Sequence, residues 1–144
     1  MSLKGSFFIL KKGEIILLKR IKSLVEIIKV YAVGFKIKYK LKKAIKKGEG
    51  INIPITPDMR QIGKTTLLIK ISNKKNIPLL VPTENQRRLA LKMGCKNVIA
   101  LNRFSNIRGK RIMEAVYDEG FDIDTILKIH NYCTAYGFYL KKGL

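Results

Sequence analysis

The segment Ile51-Asn52-Ile53-Pro54-Ile55-Thr56-Pro57-Asp58-Met59-Arg60-Gln61-Ile62-Gly63-Lys64-Thr65-Thr66-Leu67-Leu68-Ile69-Lys70-Ile71-Ser72 changes character twice. Ile51 to Ile55 is a short apolar run that reads as a buried strand. Thr56 to Gly63 is rich in turn formers, and Lys64 to Ser72 has the apolar density of a helix packed on a sheet. The order is strand, loop, helix, and it repeats. Ile77 to Val81 reads as a strand, Glu84 to Met93 as a helix closed by Gly94, and Asn97 to Leu101 as a further strand. After a basic connection from Asn102 to Lys110, Ile112 to Tyr117 reads as a strand, Asp122 to Tyr132 as a helix and Ala135 to Leu140 as a last strand. Apolar strands spaced by helical segments predict an α/β fold with a mainly parallel sheet and helices on both faces.

Upstream of Ile51 the composition changes. Residues 1–50 hold fourteen basic and three acidic residues, and residues 51–144 hold sixteen and seven. This asymmetry predicts a basic amphipathic N-terminal extension, residues 1–50, joined near Gly48-Glu49-Gly50 to a compact domain, residues 51–144. In the extension, Ile21, Leu24, Val25 and Ile28 recur at helical spacing, predicting an amphipathic helix that ends around Ala32-Val33-Gly34. Phe35, Ile37, Tyr39 and Leu41 then alternate with Lys36, Lys38, Lys40 and Lys42, the two-residue period of a strand with one cationic face. A helix continuing through Lys47 is the competing reading, because Ala44-Ile45-Lys46-Lys47 suits a helix end.

The chain has 144 residues, 47% of them apolar, which is enough for a buried core. Its formal charge of +20 calls for an anionic partner, even though lysine outnumbers arginine 23 to 7 as AT-rich coding would favour. Tyr31 to Lys47 interleaves aromatics with lysines. Three readings stay open for it: tracking DNA or RNA, lying on an anionic membrane surface, and packing one apolar face on the domain. Cys95, Cys133 and the single histidine, His130, cannot make a four-ligand zinc site, and the two thiols read as reduced core fillers. No run of 18 uncharged apolar residues occurs and no signal-peptide pattern opens the chain, so a cytoplasmic protein is expected. Arg87 and Arg88 read as a solvated helix face, His130 as a surface or partly satisfied structural histidine rather than a catalytic base, and Tyr132, Tyr136, Phe138 and Tyr139 as packing.

Two short motifs carry chemistry. Gly63-Lys64-Thr65-Thr66 lies between a predicted strand and a predicted helix, where backbone N–H groups cradle phosphate oxygens, Lys64 supplies positive charge and the Thr65 hydroxyl can ligate magnesium. Asp118-Glu119 directly follows the strand ending at Tyr117. Five of the ten acidic residues fall between Glu114 and Asp124, a concentration that points to a metal partner. In a parallel sheet, strands ending at Ile55 and Tyr117 finish on the same edge, which would bring Asp118 near Thr65. Glu119 would then orient or activate water.

At these residues the chain resembles the P-loop NTPase superfamily. Arg60 to Leu68 is similar to its nucleotide-binding loop, and Val116-Tyr117-Asp118-Glu119 to its acidic strand-end motif. The layout over residues 51–140 is similar to small phage-borne P-loop proteins, with a distant likeness to thymidine kinase-type cores. The resemblance implies binding of ATP or GTP with Mg2+. It places Gly63, Lys64, Thr65 and Thr66 on the nucleotide, Thr65 and Asp118 on the metal, and Lys64 and Glu119 in catalysis of hydrolysis. Asp58 stands where the family pattern has its first glycine. The alternative expectation is a non-enzymatic basic protein of phage type that binds nucleic acid or inhibits a host defence, for which Lys64 would matter no more than any other lysine.

Overall fold

The computed structural model describes residues 11–57, 63–101 and 111–141. The elements run α1 (Lys12–Lys47), β1 (Ile51–Ile55), α2 (Lys64–Lys75), β2 (Leu79–Val81), α3 (Glu84–Lys92), β3 (Val98–Ala100), β4 (Glu114–Tyr117), α4 (Ile123–Tyr132) and β5 (Thr134–Leu140). The strands form one five-stranded sheet in the order β1-β5-β4-β2-β3, and every pairing is parallel. The fold is therefore the α/β class with a parallel sheet. Asp58 and the Asn102 to Lys110 connection lie outside the described residues.

The pleat sorts side chains to two cores. Ile53, Ile55, Leu79, Val81, Val116, Tyr136 and Phe138 face one side, where α1, α2 and α3 cover them through Leu41, Leu68, Ile69 and Ala90. Leu80, Ala115, Tyr117 and Ala135 face the other, where α4 packs with Ile126 and Ile129. Continuous apolar runs are what strands buried on both faces require, which is why β2 and β4 read so plainly in sequence. Cys95 lies in the first core and Cys133 packs against the second; both are free thiols.

The expected strand over Phe35 to Leu41 is absent, and one helix of 36 residues runs through it to Lys47. The two-residue alternation is real but is not what packs. Ile37, Leu41 and Ala44 are buried, a spacing of four and three, while Phe35 and Tyr39 are exposed at 73% and 60%. Helical geometry puts that trio on one face against β1 and β5, so the competing helical reading holds. Gly48, in the left-handed region at φ 68°, ends the helix, with its N–H and that of Glu49 donating to the carbonyls of Ile45 and Ala44.

A polar chain crosses the second face. The Tyr117 hydroxyl donates to Asn52 Oδ1 at 2.7 Å and lies 2.8 Å from His130 Nε2. A hydroxyl has one proton, so His130 Nε2 carries its own and donates to the tyrosine oxygen. Asn52 and Tyr117 are both register partners of Gly137 on the strand between them. The ring reaches across β5 only because Gly137 has no side chain, since a Cβ there would overlap the Tyr117 ring. His130 is thus a structural histidine, as expected.

Burial holds the His130 imidazole below its ordinary value of 6.5. The unfolded chain then takes up a proton at higher pH than the folded one. Stability contributed by the neutral ring is complete above about pH 6.5 and is lost as pH falls from there through the folded value. Denaturation midpoints taken between about pH 7.5 and about pH 5 should therefore fall more steeply for the wild type than for His130→Gln. Parallel slopes would disprove the assignment.

Candidate functional site

All five strands end on one edge of the sheet, and the two sequence motifs sit there. Gly63, exposed and left-handed at φ 78°, turns the chain into α2. Gly63 has no side chain with which to cap this helix, and the first turn contains no acidic residue. Its N–H groups and the positive end of its dipole thus face the sheet edge without a competing anion from that turn.

Asp118 follows β4 on the same edge. Thr65 Oγ1 donates to Asp118 Oδ2 at 2.6 Å, closing a contact between residues 53 positions apart in the chain. The other carboxylate oxygen, Oδ1, accepts from the Glu119 backbone N–H at 2.8 Å, which fixes the rotamer. Lys64 is 4% exposed and lies at the start of α2; Thr66 is exposed one residue past Thr65. Glu119 follows in the turn, with its Oε2 shielded from solvent. The structure therefore brings Gly63, Lys64, Thr65 and Asp118-Glu119 to one end of the sheet, as parallel topology requires of a strand-loop-helix unit and another strand end of the same sheet.

The acidic residues between Glu114 and Asp124 do not gather in space. Glu114 is at the opposite end of β4, where it accepts from Lys75 Nζ at 3.2 Å and Tyr136 Oη at 3.1 Å. Burial and the adjacent Glu114 carboxylate push the Tyr136 hydroxyl up to about 12. Asp122 caps α4 by accepting from the Thr125 N–H. Among the described residues no group of three or more His, Cys, Asp or Glu side chains is placed to hold a metal. At the sheet edge, Thr65 and Asp118 form a hydroxyl–carboxylate pair, with Glu119 the next residue in the turn.

Arg87 is held by Glu84 in a bidentate pair, and Arg111 is exposed at the other end of the sheet near Glu114. On α1, Tyr39, Lys42, Lys43, Lys46 and Lys47 line a shallow open groove. What sequence reasoning missed is the Asn52-Tyr117-His130 chain. Its only traces were a lone Asn in an isoleucine strand and a Gly inside an aromatic one.

Comparisons with protein families, with characterised proteins and with solved structures return no match to this chain. No described helix is long and apolar enough to cross a membrane.

Proposed function

We propose that the protein binds a purine nucleoside triphosphate with Mg2+ at this sheet edge and hydrolyses it, in the manner of a small P-loop protein. The observation that carries the reading is the 2.6 Å bond between Thr65 and Asp118 at the start of a helix whose N-cap is Gly63. A hydroxyl and a carboxylate together offer hard oxygen donors, the set that suits Mg2+, which takes one or two protein oxygens and completes its shell with phosphate and water. The metal, when bound, neutralises charge on the phosphates. The backbone of Gly63 to Thr66 would receive phosphate oxygens, Lys64 would add positive charge, and Asp118 would position the Thr65 hydroxyl. Glu119 follows Asp118 in the turn and would orient an attacking water.

The test is titration with a fluorescent ATP analogue, with and without Mg2+, at enough salt to suppress attraction to a +20 chain. Magnesium-dependent binding is expected in the wild type, and Lys64→Ala should weaken it at least about 100-fold, the loss of a desolvated charge-assisted contact. Because Lys64 is buried, circular dichroism must show the variant folded. Equal binding by both proteins, falling steeply with salt, would transfer function to the lysine surface of α1 and the nucleic-acid reading.

A further inference from the structure

Every described side chain from Lys11 to Ala32 is exposed, so the first half of α1 stands clear of the body. Nine large aliphatic residues between Ile15 and Ile28 are 42–65% exposed there. An apolar surface of that extent needs a cover. Its pattern identifies one. Leu17, Ile21, Leu24, Ile28, Tyr31 and Phe35 follow one another at spacings of four and three, the 3.5-residue period of a coiled-coil seam, with isoleucine and leucine alternating in its aliphatic half. Lys19, Lys22, Ser23 and Glu26 lie on the opposite side together with Ile15, while Leu18 and Val25 flank the seam. The body is docked through Ile37, Leu41 and Ala44, roughly 160° around the helix from the seam, so the body of the same chain cannot cover it.

We propose that the seam pairs with the same seam of a second copy, antiparallel. The orientation follows from what lies at its two ends. One step before Leu17 in the repeat is Glu14, and one step after Phe35 is Lys38. In a parallel pair Glu14 faces Glu14, Lys38 faces Lys38 and Lys42 faces Lys42, with both lysine-rich bodies side by side. Turned antiparallel, Glu14 faces Lys38 of the second copy, Leu17 faces Phe35, Ile21 faces Tyr31 and Leu24 faces Ile28, and each pair occurs twice. Every large aromatic then meets an aliphatic chain, both seam ends carry opposite charges, and the two bodies sit at opposite ends. An anionic membrane is the poorer cover, because Glu14 lies in line with the seam and would face the headgroups.

Sedimentation equilibrium of the full chain at moderate salt should give twice the 16.5 kDa chain mass, and Leu24→Glu should give the single-chain mass with unchanged thermal unfolding of the body. Leu24 is exposed in the single chain, so the substitution removes no core contact. Glu14→Lys should weaken association at least about tenfold, and adding Lys38→Glu to the same chain should restore it. In a parallel pair the double exchange restores nothing. The proposal is overturned by a single-chain mass across the accessible concentration range, by a dimer that Leu24→Glu leaves intact, by failure of the double exchange, or by a single chain that pellets with phosphatidylserine vesicles.

Discussion

Gly137→Ala is expected to cost about 3 kcal/mol of folding stability, the upper end of what overpacking one methyl costs. Two observations converge on this position. Gly137 is fully buried on β5, and a Cβ built there overlaps both the ring and the carbonyl oxygen of Tyr117. The ring cannot retreat cheaply, because its hydroxyl is held by Asn52 on one side and His130 on the other, and its edge meets Phe121 at a centroid distance of 6.3 Å. Moving it leaves a partly buried amide oxygen and imidazole without their partner, at about 1 kcal/mol for each bond lost. Denaturant titration of Gly137→Ala, Tyr117→Leu and the double variant separates these contributions. The double variant should be somewhat more stable than the sum of the single effects allows, since leucine removes the outer ring edge that the new methyl meets while the Tyr117 carbonyl oxygen still crowds it. Strict additivity would mean that the two residues do not share the space assigned to them.

Asp118→Asn should abolish the magnesium dependence of nucleotide binding while changing stability by no more than about 1 kcal/mol, the worth of one partly exposed hydrogen bond. Asparagine is isosteric: its carbonyl oxygen can still accept from the Glu119 N–H while its amide donates to the Thr65 hydroxyl oxygen, so the sheet edge keeps its shape. What is lost is the charge. With only two protein oxygens proposed for Mg2+, removing the one anion among them should weaken metal-assisted binding at least tenfold, or about 1.4 kcal/mol. The comparison to make is nucleotide affinity with and without Mg2+ in wild type, Asp118→Asn and Thr65→Val. Full retention of the magnesium effect in Asp118→Asn would refute the metal assignment, whatever Lys64→Ala does.

The strand and helix pattern after Ile51 was legible because every strand of a doubly covered parallel sheet must be an apolar run, and turn formers punctuate them. The meeting of Thr65 with Asp118 was legible for a related reason: parallel strands end on one edge, and each motif directly follows a strand. The stretch from Phe35 to Leu41 was misread because lysines at every second position imitate a strand face, while the residues that decide the packing, Ile37, Leu41 and Ala44, are a sparse helical subset of the same letters. The crowding of acidic residues near Asp118 misled in the same way. Glu114 and Asp118 are four positions apart, but in an extended strand that distance separates the two ends of the sheet, and Glu114 serves Lys75 and Tyr136 instead. The link from Asn52 through Tyr117 to His130 depends on which strand lies between β1 and β4, and strand order is not written in any local pattern.

That strand order also sets when the site can exist. β1 and β4 carry the two halves of the constellation, yet neither touches the other: β5, residues 134–140, is wedged between them and hydrogen-bonded to both. Until that segment arrives, β1, which leads into the loop before Thr65, has no place in the sheet beside β4. Pairings of such long range are late and slow events in folding. A nascent chain emerging from the ribosome would thus display its glycine-lysine loop and its aspartate before β1 could be seated, and the sheet edge that carries them would be completed in a single closing step.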